Sequence, residues 1–307
     1  MRKPRALQPG DRVAIVAPAS PCARESFDLG VAAVRDLGFE PVWDESVFAR
    51  QGYEAGSAEV RTRAFLEAWD DPSVAAVLAA RGGYGSVHLL PSLTRERLQQ
   101  GPPKLFIGYS DTTALLTWLT VGCGITALHG PMLDQRLSRG PEGVHLESFL
   151  RALRAEPMGA LEPPGLSVIR TGEADGPLFG GNLTQLAASL GTPYAFHPPD
   201  GAVLFFEDVN ERPYRVDRLV TQLRLAGVLA RASAIVWGDM PGCDEPSGTP
   251  GVRDTVRALF DGFAGPVIYG FPSGHTSGAA WTLPLGVRVR VSARGTARLT
   301  VEEAAVA

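Results

Sequence analysis

Over the first hundred or so residues, short apolar runs alternate with amphipathic stretches. Arg12-Val-Ala-Ile-Val-Ala17 reads as a buried strand ended by Pro18-Ala-Ser-Pro21. Residues 25–37 carry Phe27, Leu29, Val31, Val34 and Leu37 and stop at Gly38, the signature of an amphipathic helix with a glycine terminator. Phe39 to Trp43 follows as a second short strand. Residues 57–69 place Val60, Ala64, Phe65 and Ala68 at helical spacing before Asp70-Asp71-Pro72 breaks the pattern. Val74 to Ala80 is apolar throughout, as a strand covered on both faces of a parallel sheet would be. Strand and helix in this rhythm predict a doubly wound α/β domain, whose ligands bind beyond the carboxyl ends of the strands.

The rhythm breaks at residues 156–176, where Pro157, Gly159, Pro163, Pro164, Gly165 and Gly172 crowd together. This stretch reads as a linker between a domain at 1–155 and a second at 177–307. In the second, Gly180-Gly-Asn-Leu-Thr-Gln-Leu opens a short helix and Ala202 to Phe206 is a strand. Pro213 stands where a helix carrying Val216, Leu219, Val220 and Leu223 begins. Residues 234–237 and 267–269 are further strands, with a helix from about Val252 to Phe263, and 285–301 alternates as an antiparallel ribbon.

The composition narrows the class. The chain has 307 residues, 45% of them hydrophobic and 20% charged, with a net charge of −4; the pI is about 5.8 and the mean hydropathy +0.02. That is the balance of an ordinary globular protein, and it argues against a dedicated nucleic-acid binder. Cys22, Cys123 and Cys243 lie far apart with no histidine at ligand spacing, which suggests neither disulfides nor a metal site. No run approaches the ~18 apolar residues of a membrane span, and the apolar run at Val13–Ala17 is too short for a signal-peptide core, so a cytoplasmic location is expected.

Candidate chemistry gathers at strand ends. Lys104 to Leu119 reads as strand, Gly-Tyr-Ser-Asp turn and helix. A serine on such a turn has its hydroxyl lifted clear of the sheet, next to unpaired N–H groups at the helix start. Ser110 occupies that position; the second glycine of G-x-S-x-G is absent, and the alternative is that Ser110 or Asp111 caps the helix. Arg81-Gly-Gly-Tyr-Gly85 follows the Val74–Ala80 strand, and its glycines allow close backbone approach. A Gly83 N–H could then pair with that of Asp111 as an oxyanion hole. A serine nucleophile needs a base. His88 and His145 fall in helical stretches, and His197 precedes Pro198-Pro199. His129, at the end of a short strand, and His275, in the small-residue loop Phe271-Pro-Ser-Gly-His-Thr-Ser-Gly278, are the two contenders. Glu207 and Asp208 both end the Ala202–Phe206 strand, where either could orient an imidazole.

Taken in order, Val-Ala-Pro-Ala-Ser20, Arg-Gly-Gly-Tyr-Gly85, Gly-Tyr-Ser110-Asp, His129-Gly-Pro, Gly-Gly-Asn-Leu-Thr184, Phe-Phe-Glu207-Asp and Ser-Gly-His275-Thr resemble the LD-carboxypeptidase family of serine peptidases over nearly the whole chain. The resemblance implies a flavodoxin-like N-terminal domain, a smaller α/β C-terminal domain, and commonly a homodimer with the site at the domain junction. It implies a triad of Ser110 as nucleophile, His275 as base and Glu207 as orienting acid, with no cofactor or metal. The implied substrate is a muropeptide tetrapeptide of cell-wall recycling, which loses its terminal D-alanine. Arginine suits a free carboxylate best; Arg81 is the candidate, with Arg212 equally readable as structural. The family's microcin-immunity branch, which cleaves aminoacyl or peptidyl adenylate analogues, is the alternative activity. Trp237 or Trp281 stacking on adenine would favour that branch, though either fits a core equally well. A two-domain small-ligand binding protein is the non-enzyme alternative, and the want of a cysteine at the turn disfavours an amidotransferase.

Overall fold

The computed structural model describes residues 1–307. The first half contains β1 (Arg12–Val16), α1 (Arg24–Asp36), β2 (Glu40–Val42), α2 (Ala58–Asp70), β3 (Val74–Ala79), α3 (Arg95–Gln99), β4 (Leu105–Gly108), α4 (Thr113–Thr117), β5 (Ala127–His129) and α5 (Leu146–Ala152). Strand order is 2-1-3-4-5, all parallel, which is the flavodoxin-like arrangement. The expected helices form for local reasons. Ser57 caps α2 by accepting from the Val60 N–H, and the helix buries Phe65, Leu66 and Trp69. Helix α1 turns Phe27, Val31 and Val34 inward and leaves Leu29 exposed.

Within residues 156–176 the chain forms β6 (Gly159–Leu161), β7 (Ser167–Arg170) and the start of β8 (Glu173–Asn182). Pro and Gly are tolerated there because β6 and β7 are the two outer strands of their sheet. Then follow α6 (Leu183–Ala188), β9 (Ala202–Glu207), α7 (Pro213–Leu225), β10 (Ala232–Gly238), α8 (Val252–Leu259), β11 (Val267–Phe271), β12 (Leu283–Leu285), β13 (Arg288–Arg294) and β14 (Thr296–Val301). The second sheet runs β6-β14-β13-β8-β9-β10-β11-β7, with β8 to β11 parallel and the flanking strands antiparallel. The β13–β14 pair is the ribbon expected from its alternation. Strand β12 leaves this half and pairs antiparallel with β5, completing the first sheet.

Strand β9 is buried along its length and divides its side chains between two cores. Val203 and Phe205 join the large core shared with the first sheet, while Leu204 and Phe206 face a second core under α6, α7 and α8. The halves also meet through a hydrogen bond, from the Asn182 N–H to Thr113 Oγ1 at 3.0 Å. Gly181 allows that approach: at its φ of +142°, a Cβ would lie 2.8 Å from the same threonine oxygen. This packing brings the carboxyl ends of β4, β5, β9 and β11 into one region.

Candidate active site

Ser110 lies two residues past the end of β4 and holds φ = +63°, a conformation that costs a residue with a Cβ free energy and persists only where the surroundings impose it. The helical turn Ser110–Thr112 then leads into α4. Neither segment has a side-chain cap, so the capping reading of Ser110 and Asp111 does not describe this turn. Asp111 instead accepts from the Ser86 N–H at 2.8 Å, while Ser86 Oγ donates to the Asp111 carbonyl at 2.7 Å. The pair locks the glycine-rich loop after β3 onto the serine turn. Gly82 completes the fit, since a Cβ there would lie 2.9 Å from Ser110 Cβ and 3.0 Å from its Oγ. The N–H groups of Gly83 and Asp111 reach no backbone carbonyl. Ser20, after β1, receives the Tyr84 N–H and donates its own N–H to the Gly82 carbonyl.

Glu207, at the end of β9, is fully buried. One oxygen, Oε2, accepts both His275 Nδ1–H at 2.7 Å and the His275 main-chain N–H at 2.9 Å. An ionised carboxylate can only accept, so Nδ1 carries the proton and the lone pair of the neutral ring lies on Nε2. Burial pushes the Glu207 carboxyl up, but the His275 charge and hydrogen bonds outweigh it and hold it below the usual range. Burial likewise pushes His275 down, and the Glu207 charge and hydrogen bond more than reverse this, raising it. Asp208, the other strand-end acid, faces away: it accepts from the Thr184 N–H and hydroxyl and from Asn182 Nδ2, at the start of α6. The Glu207 and His275 side chains meet, and Asp208 and His275 do not.

The remaining histidines separate cleanly. His88 pairs with Glu54 on the surface, while His145 caps α5 and stacks on Trp281 at 3.9 Å. His129, at the end of β5, is fully buried beside the same carboxylate, its Nε2 3.9 Å from Glu207 Oε1 and its Nδ1 2.9 Å from Ser273 Oγ. Burial pushes it down to about 4, so it is neutral near pH 7. Its Nε2 has no hydrogen-bond partner. The ring of Tyr109, the residue before Ser110, meets the His275 ring edge-on with centroids 5.2 Å apart. No hydrogen bond joins Ser110 Oγ to His275; the Tyr109 ring is the contact between the serine turn and the imidazole.

Arg81 lies at the same strand end as the glycine-rich loop, its side chain 39% exposed, with its guanidinium 3.5 Å from Asp134 and donating to the Pro21 carbonyl at 3.4 Å. Arg212 is exposed and bound to Glu245. Trp237 is wholly buried in the second core. No group of three or more His, Cys, Asp and Glu stands close enough to hold a metal ion. Two residues with contacts in this cleft carry no sequence signal of their own. Ser273 belongs to an ordinary small-residue loop, and Arg136 is one arginine among many.

Residues 13–130 match the family model described as the LD-carboxypeptidase N-terminal domain, and residues 175–291 the model of the C-terminal domain. The murein tetrapeptide carboxypeptidase of Pseudomonas aeruginosa is 33% identical, over 89% of this chain and 92% of that protein. The solved muramoyltetrapeptide carboxypeptidase of Oxalobacter formigenes superposes with a TM-score of 0.84 at 29% identity, covering 95% of this chain and 99% of that one. The microcin C7 self-immunity protein MccF of Escherichia coli is 28% identical over 90% of this chain and 88% of its own. A solved MccF complex with glutamyl sulfamoyl guanosine superposes over the full length of both chains with a TM-score of 0.90. Two matched domains in the expected order, carried by a fold these relatives share, make this chain a hydrolase of the LD-carboxypeptidase family of peptidases.

Proposed function

We propose that the chain is a serine carboxypeptidase that removes the terminal D-alanine from muropeptide tetrapeptides, with Ser110, His275 and Glu207 as its triad. The observation that carries the reading is the buried Glu207–His275 pair, which leaves Nε2 as the basic atom, with its imidazole against Tyr109, the residue before a serine held at positive φ. His275 takes the Ser110 proton as Oγ attacks the terminal amide carbonyl, and Glu207 holds the ring and stabilises its cation. The Ser110–His275 hydrogen bond forms in the substrate complex. The Gly83 and Asp111 N–H groups receive the oxyanion, each donor typically worth about 2.7–4 kcal/mol of barrier. His275 returns the proton to the departing D-alanine, and water activated by the same ring releases the shortened peptide from Ser110. Arg81 takes the substrate's free carboxylate, exchanging its Asp134 contact for it. The names of the Pseudomonas and Oxalobacter relatives support the murein substrate. The site needs no cofactor, and the chain works in the cytoplasm as a homodimer.

The full-length superposition on MccF favours a second reading, hydrolysis of aminoacyl or peptidyl adenylate analogues by the same residues. One experiment separates them: mass spectrometry of a muropeptide tetrapeptide, and of an aminoacyl sulfamoyl adenosine, each incubated with wild type and with Ser110→Ala. Loss of one alanine by the wild type alone supports the carboxypeptidase. Turnover of the nucleoside alone supports the second reading, and turnover of tetrapeptide by both proteins removes Ser110 from the mechanism.

A further inference from the structure

Arg136 lies seven residues beyond His129 in the chain, in the first half of the molecule, and is 5% exposed. Its guanidinium meets no carboxylate. All five N–H groups are nevertheless used. Nε donates to the Tyr109 hydroxyl at 3.3 Å, one terminal nitrogen to the Gly278 and Gly143 carbonyls at 3.1 and 3.5 Å, and the other to the Gly274 and Thr276 carbonyls at 2.6 and 3.0 Å. Gly274 and Thr276 flank His275, and Tyr109 precedes Ser110. A side chain with every donor engaged has none to offer a substrate.

We propose that Arg136 is a positioning residue that straps the His275 loop to the Ser110 turn, fixing the base against the nucleophile through two carbonyls on one side and the Tyr109 hydroxyl on the other. The inference rests on the reading of Ser110 and His275 as nucleophile and base. Residues 272–282 contain no strand or helix of their own, and Thr276 is further held only by its hydroxyl bond to Asp239. The planar fork of arginine can span this many carbonyls, whereas lysine has three donors on a point charge. The positive charge is left without a counter-ion in the cleft, where it opposes protonation of His275 against the pull of Glu207 and Asp208.

The test compares wild type, Arg136→Met and Arg136→Lys by peptide-resolved hydrogen exchange and by the rate at which a fluorophosphonate labels Ser110. Both variants should lose protection in the peptide spanning 272–280 while β1 and β3 keep theirs. Labelling should slow by about 100-fold in Arg136→Met, the scale of a misplaced catalytic group, with Arg136→Lys in between. Unchanged exchange and labelling in a folded Arg136→Met protein would overturn the proposal. So would loss of protection spread evenly over the whole chain in both variants, because Arg136 would then be a general prop of the fold. Failure of wild-type Ser110 to label would count instead against the nucleophile reading, and the exchange data would still report on the strap.

Discussion

Ser110 and Glu207 are held in different ways, and the difference sets what each substitution should do. Ser110 is held by backbone, at φ = +63° with Gly82 against its side chain, and its hydroxyl has no hydrogen bond to lose. Ser110→Ala should therefore fold with little change in melting temperature and lose tetrapeptide turnover by at least about a thousandfold, as when the serine of other triads is removed. Glu207, in complete burial, accepts two hydrogen bonds from His275 and a longer one from Asn182 Nδ2. Glu207→Gln removes the charge that raises His275, so the ring should lose its proton at lower pH. The acid limb of kcat/KM, which follows the neutral base, should move down the pH scale while the maximum falls by about ten-thousandfold, because the amide can also hold the wrong tautomer. An acid limb that stays in place would separate Glu207 from the base.

At the scale of elements, the glycine-rich loop after β3 packs directly on the serine turn. Gly82→Ala puts a methyl 2.9 Å from Ser110 Cβ without demanding a positive φ, so the turn must shift while the strand beneath it stays. A loss of about 100-fold in kcat with little change in thermal stability is expected, and steady-state kinetics beside a thermal melt would check it. These elements were also the legible ones. A buried run such as Val74–Ala79 and a capped amphipathic helix such as Ala58–Asp70 announce themselves through local sequence. Short edge strands such as β6 and β7 do not, because Pro and Gly mark loops and sheet edges alike. At the site, motif order brought out Ser110, Glu207 and His275 together. Without the motif, residue type alone leaves Glu207 and Asp208 open, and the register of β9 separates them, since neighbours on a strand face opposite ways. Arg136 is illegible for another reason: four of its five partners are main-chain carbonyls, which leave no trace in residue identity.

Over the whole molecule, the Glu207–His275 pair should make stability depend on pH. His275 is raised above its ordinary 6.5, so its contribution is complete below that value and fades as pH rises through the folded value. Glu207 is lowered from 4.5, so its contribution is complete above 4.5 and is lost as pH falls through the folded value. The melting temperature of His275→Gln should accordingly fall furthest below that of wild type between about pH 4.5 and 6.5 and approach it on either side. An equal deficit at every pH would mean that the pair packs without charge coupling. The sheets also depend on one another, because β12 covers the β5 edge of the first. Residues 1–155 expressed alone should expose that edge and aggregate; a monomeric fragment with native-like circular dichroism on size exclusion would contradict this. The same strand orders events in time. A chain emerging from the ribosome presents Ser110 long before Leu283–Leu285 can close the sheet beside it, and the loop bearing His275 emerges only shortly before that strand. On the proposed mechanism, half-made copies are chemically silent, and hydrolysis is withheld until the second sheet has docked.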